Sequence, residues 1–206
     1  MITLWGRLNS LNVQKVVWCL EEIGAPYQRI EAGREFGVVD TSSYRAMNPN
    51  ALVPTIKDGD LTLWESNAIV RYLCAKHPDA GFWPADPAAR ASGDRWMDWQ
   101  QTSLNKALGP AFMHLVRTPP EARDMAAVEA SRVATETQLE ILDAALARSQ
   151  WLGGDAFGLA EFAVGTQIHR WLNMPIQREP RPHVERWYAA FMHRPATPRA
   201  LTLPVT

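Results

Sequence analysis

The residues best suited to bind a ligand lie within 48–72, which read NPNALVPTIKDGDLTLWESNAIVRY. Two short apolar runs, 52–56 and 61–64, flank the turn 57–60, whose Asp-Gly pair predicts a β-hairpin. Pro54 interrupts the first run and belongs at the edge or end of a strand, because proline donates no hydrogen bond to a strand ladder. This arrangement predicts a site for an extended, anionic, peptide-like ligand.

The polar residues Glu65, Ser66 and Asn67 stand between the second run and a helical pattern. The free N–H groups and the dipole of a helix N-terminus favour an anion at such a position. The same residues are also typical of an N-cap that serves only the helix, and the residues alone favour this plainer interpretation.

The first 77 residues contain the elements that would position this stretch. β-prone runs at 2–5 and 27–30 enclose a helical pattern that ends at Gly24, which predicts a βαβ unit with parallel strands. The order βαβαββα predicts an α/β domain of the thioredoxin-like type, with a mixed four-stranded sheet. The remaining elements are a loop within 32–43, a short helical turn at 42–47, the hairpin and a helix at 67–76.

The second half has a different character. Residues 78–87 contain three prolines and form the predicted linker, and residues 88–206 contain no β-rich run, which predicts an all-helical domain. The expected helices are 88–107 with a break or kink at Gly109 and Pro110, one from Thr118 as cap and Pro119 to about 149, one at 158–172 and one from Pro182.

The composition argues against several classes of function. The chain has 206 residues and a net charge of −1, so no overall field attracts nucleic acid or an anionic membrane. It shows neither an apolar run of membrane-spanning length nor a signal peptide. Cys19 and Cys74 lie in helical patterns without a CxxC motif, which predicts buried, reduced thiols in a cytoplasmic protein. The five histidines are too widely spaced to suggest a metal site.

Four segments resemble those of the soluble glutathione S-transferases. Residues 48–54 (NPNALVP) are similar to the family segment NPxGxVP, and residues 63–69 (LWESNAI) are similar to LxESxAI. Residues 10–16 (SLNVQKV) resemble the SxNxxKV turn of theta-like and bacterial members. Residues 151–157 (WLGGDAF) resemble the WLxGDxF segment of the second domain.

The resemblance covers essentially the whole chain and is strongest to the B-type bacterial members, which share GREFG and LVRTPP. Three departures stand out. Ala51 replaces the usual glycine, and Leu52 stands where many members have a lysine or histidine that contacts the ligand. Gly158 and Glu161 replace the Ser/Thr and Asp of a buried capping box, although Glu161 is long enough to reach the backbone.

The resemblance implies glutathione as co-substrate and no metal. Pro54 would follow a cis peptide bond, and the backbone of Val53 would pair with the tripeptide as an added strand. Ser66 would bind the γ-glutamyl carboxylate and Glu65 the α-amino group. The implied glutathione contacts are Asn12, Arg34, Leu52, Val53, Pro54, Glu65, Ser66 and Asn67.

The resemblance places thiol activation in the turn at Ser10 and Asn12. The thiolate is the nucleophilic form of a thiol, and hydrogen-bond donors at a helix N-terminus stabilise it. Either side chain could instead cap the helix expected near Val13, so both remain candidates, with Ser10 preferred. Arg7 is close to this turn in sequence but could simply lie at the surface.

The electrophile site is expected to use residues from both halves of the chain. Arg117, set in an apolar stretch, is a candidate for attracting an acidic electrophile such as a haloacid. The expected lining residues are Leu8, Leu11, Phe36, Phe112, Met113, Arg117 and Trp171.

The resemblance implies a cytoplasmic, homodimeric glutathione S-transferase that detoxifies small hydrophobic or halogenated electrophiles, with Asp98 as a candidate acid at the dimer interface. A non-catalytic binding or regulatory protein of the same fold is an alternative, and the retained Pro54, Glu65 and Ser66 argue against it. A glutathione-dependent oxidoreductase would need a cysteine near Ser10. A glutathione-dependent dehalogenase or isomerase would share the same thiol site and stays open.

Overall fold

The structure, a computed structural model, describes residues 1–205. The chain forms two compact units. The first contains residues 1–83 together with 195–202, and the second contains residues 84–194 and the residues after 202.

The first unit is built on a mixed sheet flanked by helices. Its elements are β1 (Ile2–Trp5), α1 (Leu11–Ile23), β2 (Tyr27–Ile30), α2 (Ser42–Met47), β3 (Thr55–Asp58), β4 (Leu61–Trp64) and α3 (Ser66–Lys76). The strand order is β2-β1-β3-β4, with β1 parallel to β2 and antiparallel to β3, and β3 antiparallel to β4. The predicted thioredoxin-like fold is therefore confirmed, including Gly24 as a left-handed cap at the end of α1.

Hydrophobic spacing explains why α1 packs where it does. Val13, Val16, Val17 and Leu20 recur at helical intervals and are all at most 2% exposed. α1 also packs on α3, and the first turns of these two helices lie close together, which matters for the candidate site.

Both of these helices begin earlier than the sequence pattern suggests. α1 begins at Leu11 rather than near Val13, so Asn12 lies in its first turn. α3 begins at Ser66, one residue before the predicted start, and Glu65 occupies the N-cap position. Polar residues in a first helical turn carry no apolar periodicity, and the pattern therefore misses them.

The predicted hairpin is present, but its first strand is shorter. β3 begins at Thr55 rather than at residue 52, because the carbonyl of Leu52 accepts hydrogen bonds from side chains of Tyr44 and Asn48 instead of joining a ladder. The turn is limited to the two residues that follow Asp58, where Gly59 has φ 59°.

The second unit contains five α-helices and no strand among its described residues, which confirms the all-helical prediction. The helices are α4 (Pro87–Trp99), α5 (Asn105–Phe112), α6 (Met125–Leu146), α7 (Leu159–Leu172) and α8 (Pro182–Met192). α7 forms the centre of this unit, because nearly all of its residues are buried.

The helical path does not break at Gly109 and Pro110, so of the predicted break or kink the break is wrong. Pro110 lies inside α5, and π-helical turns precede and follow this helix at Gln100–Leu104 and Met113–Arg117. A π turn contains an extra residue, so the departures from regular α-helical geometry occur on either side of the proline rather than at it.

The start of α6 was also predicted wrongly. Its cap is Asp124, whose carboxylate accepts two backbone N–H groups of the first turn at 3.0 Å each. The hydroxyl of Thr118 instead donates to the carbonyl of Met113 at 3.0 Å. An ionised acceptor facing two amides is a stronger cap than one hydroxyl, and the helix therefore begins at the acid.

A last helix, α9 (Thr197–Ala200), has no counterpart in the sequence prediction and belongs to the first unit. It packs on α1, where Arg199 pairs with Glu21 at 3.0 Å. Just after it, Gln14 Nε2 donates to Thr202 Oγ1 at 3.1 Å. Part of the segment assigned to the helical half thus completes the sheet-containing unit.

Candidate functional site

The first turns of α1 and α3 are joined by two side-chain hydrogen bonds. Ser66 Oγ donates to Asn12 Oδ1 at 3.2 Å, and the buried Lys15 Nζ donates to Asn67 Oδ1 at 3.1 Å. Three residues predicted to contact glutathione therefore meet where two helix N-termini present their partial positive charge. In the sequence Lys15 is marked only as part of the segment 10–16, although a lysine within an apolar helical stripe is itself a signal of a buried polar contact.

Ser10 occupies the N-cap position of α1, but its hydroxyl makes no capping hydrogen bond. Its carbonyl accepts the N–H of Gln14 at 2.9 Å, so the backbone alone begins the helix. The side chain is 9% exposed. Asn12 is exposed, and because Ser66 occupies its Oδ1 atom, its NH₂ group is the part left to act as a donor.

The peptide bond between Val53 and Pro54 is cis, which confirms the prediction. Among residues 1–205, neither the N–H nor the C=O group of Val53 has a hydrogen-bond partner. An extended peptide could therefore pair with this backbone without displacing an existing contact.

A buried polar network holds the segment before Pro54 in place. The Tyr44 hydroxyl and Asn48 Nδ2 both donate to the carbonyl of Leu52, at 2.7 and 2.9 Å, and both contact Thr55 Oγ1, at 2.8 and 3.0 Å. Tyr44, Asn48 and Thr55 are at most 2% exposed. In the sequence Asn48 is marked only as part of a motif, and Tyr44 and Thr55 are not marked at all, because this network depends on residues brought together by folding.

Several residues around this segment have backbone conformations that L-amino acids rarely adopt. Arg34, Ala51 and Glu65 have φ values of 53°, 53° and 72°. Ala51 stands where the resembling family usually has glycine, and its positive φ supplies the physical reason for that preference. Non-glycine residues in such conformations cluster at ligand sites, which agrees with the predicted roles of Arg34 and Glu65.

Arg7 is half-buried rather than a simple surface residue. A Cβ atom placed on Gly33 would lie 3.1 Å from Arg7 Nη1 and 3.4 Å from Val53 Cγ1, so the Arg7 guanidinium and the Val53 side chain flank the same glycine. Burial and the neighbouring charge of Arg34 lower the pKa of Arg7. In contrast, the aliphatic side chain of Leu52 is 66% exposed.

The electrophile candidates of the first unit differ in burial. Leu11 is 5% exposed, Leu8 is half-buried and Phe36 is 45% exposed. Phe36 lies in a short 3₁₀ turn, Arg34–Phe36, between two glycines that both have positive φ. Phe36 is therefore the most accessible of these apolar side chains.

The candidates of the second unit centre on Phe112. The guanidinium groups of Arg117 and Arg170 lie 5.2 and 3.8 Å from the centre of its ring. Met113 is 51% exposed, whereas Trp171 is 1% exposed and lines a cavity of about 200 Å³ with Leu139 and Val184. The sequence analysis missed Arg170, which approaches Phe112 from a helix far along the chain.

The remaining reactive groups serve structure. Cys19 and Cys74 are free, fully buried thiols with their sulfur atoms 3.7 Å apart, as predicted. Glu161 is fully buried and accepts the N–H groups of Leu152 and Gly158 at 2.7 and 2.9 Å, which confirms its predicted capping role. Burial raises its pKa to about 7.

Within the described part of the chain, no three His, Cys, Asp or Glu side chains are grouped to hold a metal ion. None of the helices in that part of the chain is both long and apolar enough to cross a membrane.

Comparison with known proteins gives matches over both units. The profile of the glutathione S-transferase N-terminal domain matches residues 1–75, and that of the glutathione S-transferase C-terminal domain matches residues 105–195. The chain is 47% identical to glutathione S-transferase GstB of Escherichia coli, over 100% of both chains. It is 30% identical to the probable glutathione S-transferase GSTF2 of rice, over 97% of this chain and 95% of the relative.

Among solved structures, the theta class glutathione S-transferase of Xanthomonas axonopodis pv. citri with glutathione bound superposes with a TM-score of 0.96. It is 46% identical, and the match covers 100% of this chain and 99% of that one. The family matches, the full-length identity and the shared fold agree with the cis-proline segment and the paired helix N-termini. The chain therefore belongs to the glutathione S-transferase family.

Proposed function

We propose that the first unit binds glutathione and ionises its thiol, and that the thiolate then attacks a small hydrophobic or halogenated electrophile. The meeting of Asn12 and Ser66 at two helix N-termini carries this proposal, because it places hydrogen-bond donors and partial positive charge at one point. The Xanthomonas relative, which has glutathione bound, supports the choice of ligand.

Each part of glutathione has a matching group in this unit. The cysteinyl backbone would pair with the unpartnered N–H and C=O of Val53 as an added strand. The γ-glutamyl carboxylate would accept the backbone N–H of Ser66 and, in place of Asn12 Oδ1, the hydroxyl hydrogen of Ser66, with Glu65 contacting the α-amino group. Asn67 would act by fixing the start of α3 through its bond to Lys15.

Ser10 and Asn12 would lower the pKa of the bound thiol. A thiolate that accepts hydrogen bonds from the Ser10 hydroxyl and the Asn12 amide is stabilised over the thiol, and the proton leaves to water. The thiolate sulfur then forms a bond to the electrophilic carbon, and the leaving group, such as a halide, departs with the electron pair of the broken bond. Ser10 is suited to this role because its hydroxyl is not used in capping.

The predicted electrophile contacts stay Leu8, Leu11 and Phe36 in the first unit, and Phe112, Met113, Arg117 and Trp171 in the second unit. The two guanidinium groups at Phe112 support an acidic electrophile, such as a haloacid, as one accepted class. A homodimer with exposed Asp98 at its interface and a cytoplasmic location, which the free cysteines favour, also stay predictions.

No structural feature favours an oxidoreductase, because Ser10 rather than cysteine stands at the start of α1 and Cys19 is fully buried. A dehalogenase or isomerase that uses glutathione would employ the same thiol site, and it would be distinguished by its products.

Two measurements test the proposal. Calorimetry measures the binding of glutathione, and kinetics compare the wild type with Ser10→Ala and Asn12→Ala. We expect the wild type to bind glutathione, and at least one variant to lose tenfold or more in kcat, which corresponds to about 1.4 kcal/mol of transition-state stabilisation. The apparent thiol pKa, taken from the pH dependence of kcat/KM, should rise in the same variant. Two variants that both retain wild-type rates would refute the activation scheme.

A further inference from the structure

A cavity of about 360 Å³ lies in the second unit between α4 and α6, outside the candidate glutathione and electrophile sites. This aromatic cavity has a volume in the range of small-ligand pockets, which is about 300–1,000 Å³. Its wall combines aromatic, aliphatic and basic side chains, namely Arg95, Trp96, Trp99, Ile141, Ala145 and Arg148.

Two tryptophans give the aromatic cavity a surface that suits a flat ring. The rings of Trp96 and Trp99 meet edge to face with their centres 5.0 Å apart, so the buried Trp96 supports Trp99 from the side. Trp99 is only half-buried, and Ile141 of α6 is 49% exposed. A flat ligand would therefore cover apolar surface on both helices.

The arginines of the aromatic cavity have no acidic partners. Within residues 1–205, neither Arg95 nor Arg148 forms an ion pair, and the guanidinium of Arg95 lies 5.9 Å from the centre of the Trp96 ring. No Asp or Glu side chain in this part of the chain lines the cavity. The whole chain has a net charge of −1, so the cavity is a local concentration of positive charge that favours an anion.

A second cavity of about 390 Å³, here called the basic cavity, shares Arg148 with the first. Its wall also contains His183 and Arg186, and again no acidic side chain among the described residues. Arg186 Nη2 donates to the carbonyls of Leu146 and Ser149 at 2.7 and 3.2 Å, which covers the partial negative charge at the end of α6. Within residues 1–205 its Nε and Nη1 groups make no hydrogen bond.

We propose that the two cavities together bind a nucleoside phosphate, with the base against Trp99 and the phosphate between Arg148 and Arg186. Every base has a flat π face that stacks on an aromatic side chain. The planar fork of arginine matches a phosphate in a bidentate geometry. Because Arg148 joins the aromatic cavity to the basic one, the pair suits a ligand whose ring and anionic group are separate parts. This inference does not depend on the proposed function.

Calorimetry of the full chain with adenosine monophosphate, adenosine and inorganic phosphate tests this proposal. We expect the monophosphate to bind about tenfold more tightly than either fragment, because only the monophosphate occupies both cavities. Arg148→Gln should weaken binding of the monophosphate about tenfold and change that of adenosine less than twofold. Trp99→Leu should weaken binding of the monophosphate and of adenosine by similar factors, because both lose the stacked ring.

Arg132→Gln serves as the matched control, because Arg132 lies on α6 and pairs with Glu129. It removes the same charge as Arg148→Gln and should change the affinity for the monophosphate less than twofold. Equal weakening by these two variants, or a monophosphate that binds no more tightly than inorganic phosphate, would overturn the proposal. If Trp99→Leu fails to fold, the exposed Arg148 carries the test through the comparison of monophosphate with adenosine.

Discussion

At the scale of single residues, side chains with unused hydrogen-bonding capacity define the candidate site. The Ser10 hydroxyl makes no capping bond, the Val53 backbone is unpartnered among the described residues, and Arg7 Nε lacks an acceptor there. Residue types at motif positions mark Ser10 and Val53 as candidates, and their roles stay predictions. These residue types could not predict the environment of Arg7, because folding brings it beside Gly33 and Val53, which are distant in sequence.

Ala51→Gly is expected to stabilise the first unit. Ala51 has φ 53°, and this conformation costs an L-residue about 1–2 kcal/mol of stability. Glycine avoids that cost, but its greater freedom in the unfolded chain offsets about 0.5–1 kcal/mol of the gain. The net gain of up to about 1.5 kcal/mol should raise Tm by up to about 3–6 °C in thermal unfolding. The control Ala75→Gly, at an exposed position of α3, should lower Tm, and a decrease for both variants would contradict the role of the positive φ.

The variants Arg117→Leu and Arg170→Leu should lose activity toward acidic electrophiles relative to uncharged ones. Both guanidinium groups lie over the Phe112 ring, so removing either one weakens the positive field at that point. We expect the ratio of kcat/KM for iodoacetate to that for iodoacetamide to fall about tenfold, since a charge-assisted contact is worth about 1.5–3 kcal/mol. An unchanged ratio in both variants would remove this cluster from the electrophile site.

At the scale of secondary structure elements, the positions at which helices begin determine which candidate residues lie together. The first turns of α1 and α3 carry Asn12 and Ser66, and each helix begins slightly before its apolar pattern does. Apolar periodicity reports the buried face of a helix, whereas a first turn is chosen by capping and by contacts with other elements. The existence of each helix was therefore predictable, and its functional end was not.

The buried cap of α7 should make stability depend on pH. Burial raises the pKa of Glu161 from 4.5 to about 7 in the folded state. Below pH 4.5 the carboxyl group is protonated in both states. Between pH 4.5 and 7 the folded state holds a proton that the unfolded state has lost, so stability falls as pH rises through this window, by up to about 3 kcal/mol.

Urea unfolding of the wild type and Glu161→Gln at pH 5 and pH 8 measures this effect. The amide cannot ionise, so we expect a smaller fall in stability between the two pH values for the variant. It should also be less stable at pH 5 by about 1–3 kcal/mol, because an amide NH₂ group would face one of the two N–H donors. Equal pH dependence in both proteins would show that Glu161 does not titrate in this range.

At the scale of the whole molecule, residues 195–202 follow the helical unit in sequence but belong to the unit that contains the sheet. α9 packs on α1, whose first turn carries Asn12. Deleting residues 195–206 should therefore destabilise the first unit and weaken glutathione binding, although these residues follow the helical unit in sequence. Calorimetric unfolding and glutathione titration would measure both effects. Arg199→Ala serves as the control, because it removes only the ion pair to Glu21. This control should lower the free energy of unfolding by less than about 1 kcal/mol.

The sequence by itself determined the fold class, the family and the segment around Pro54, because hairpin turns, caps and family motifs are local patterns of residue types. The tertiary structure decided which residues meet. The bond between Ser66 and Asn12, the network of Tyr44 and Asn48, and the approach of Arg7 to Gly33 join residues that local spacing cannot relate. Packing of the helices and sheet sets these distances, and it therefore also sets which polar groups are left free to meet a substrate.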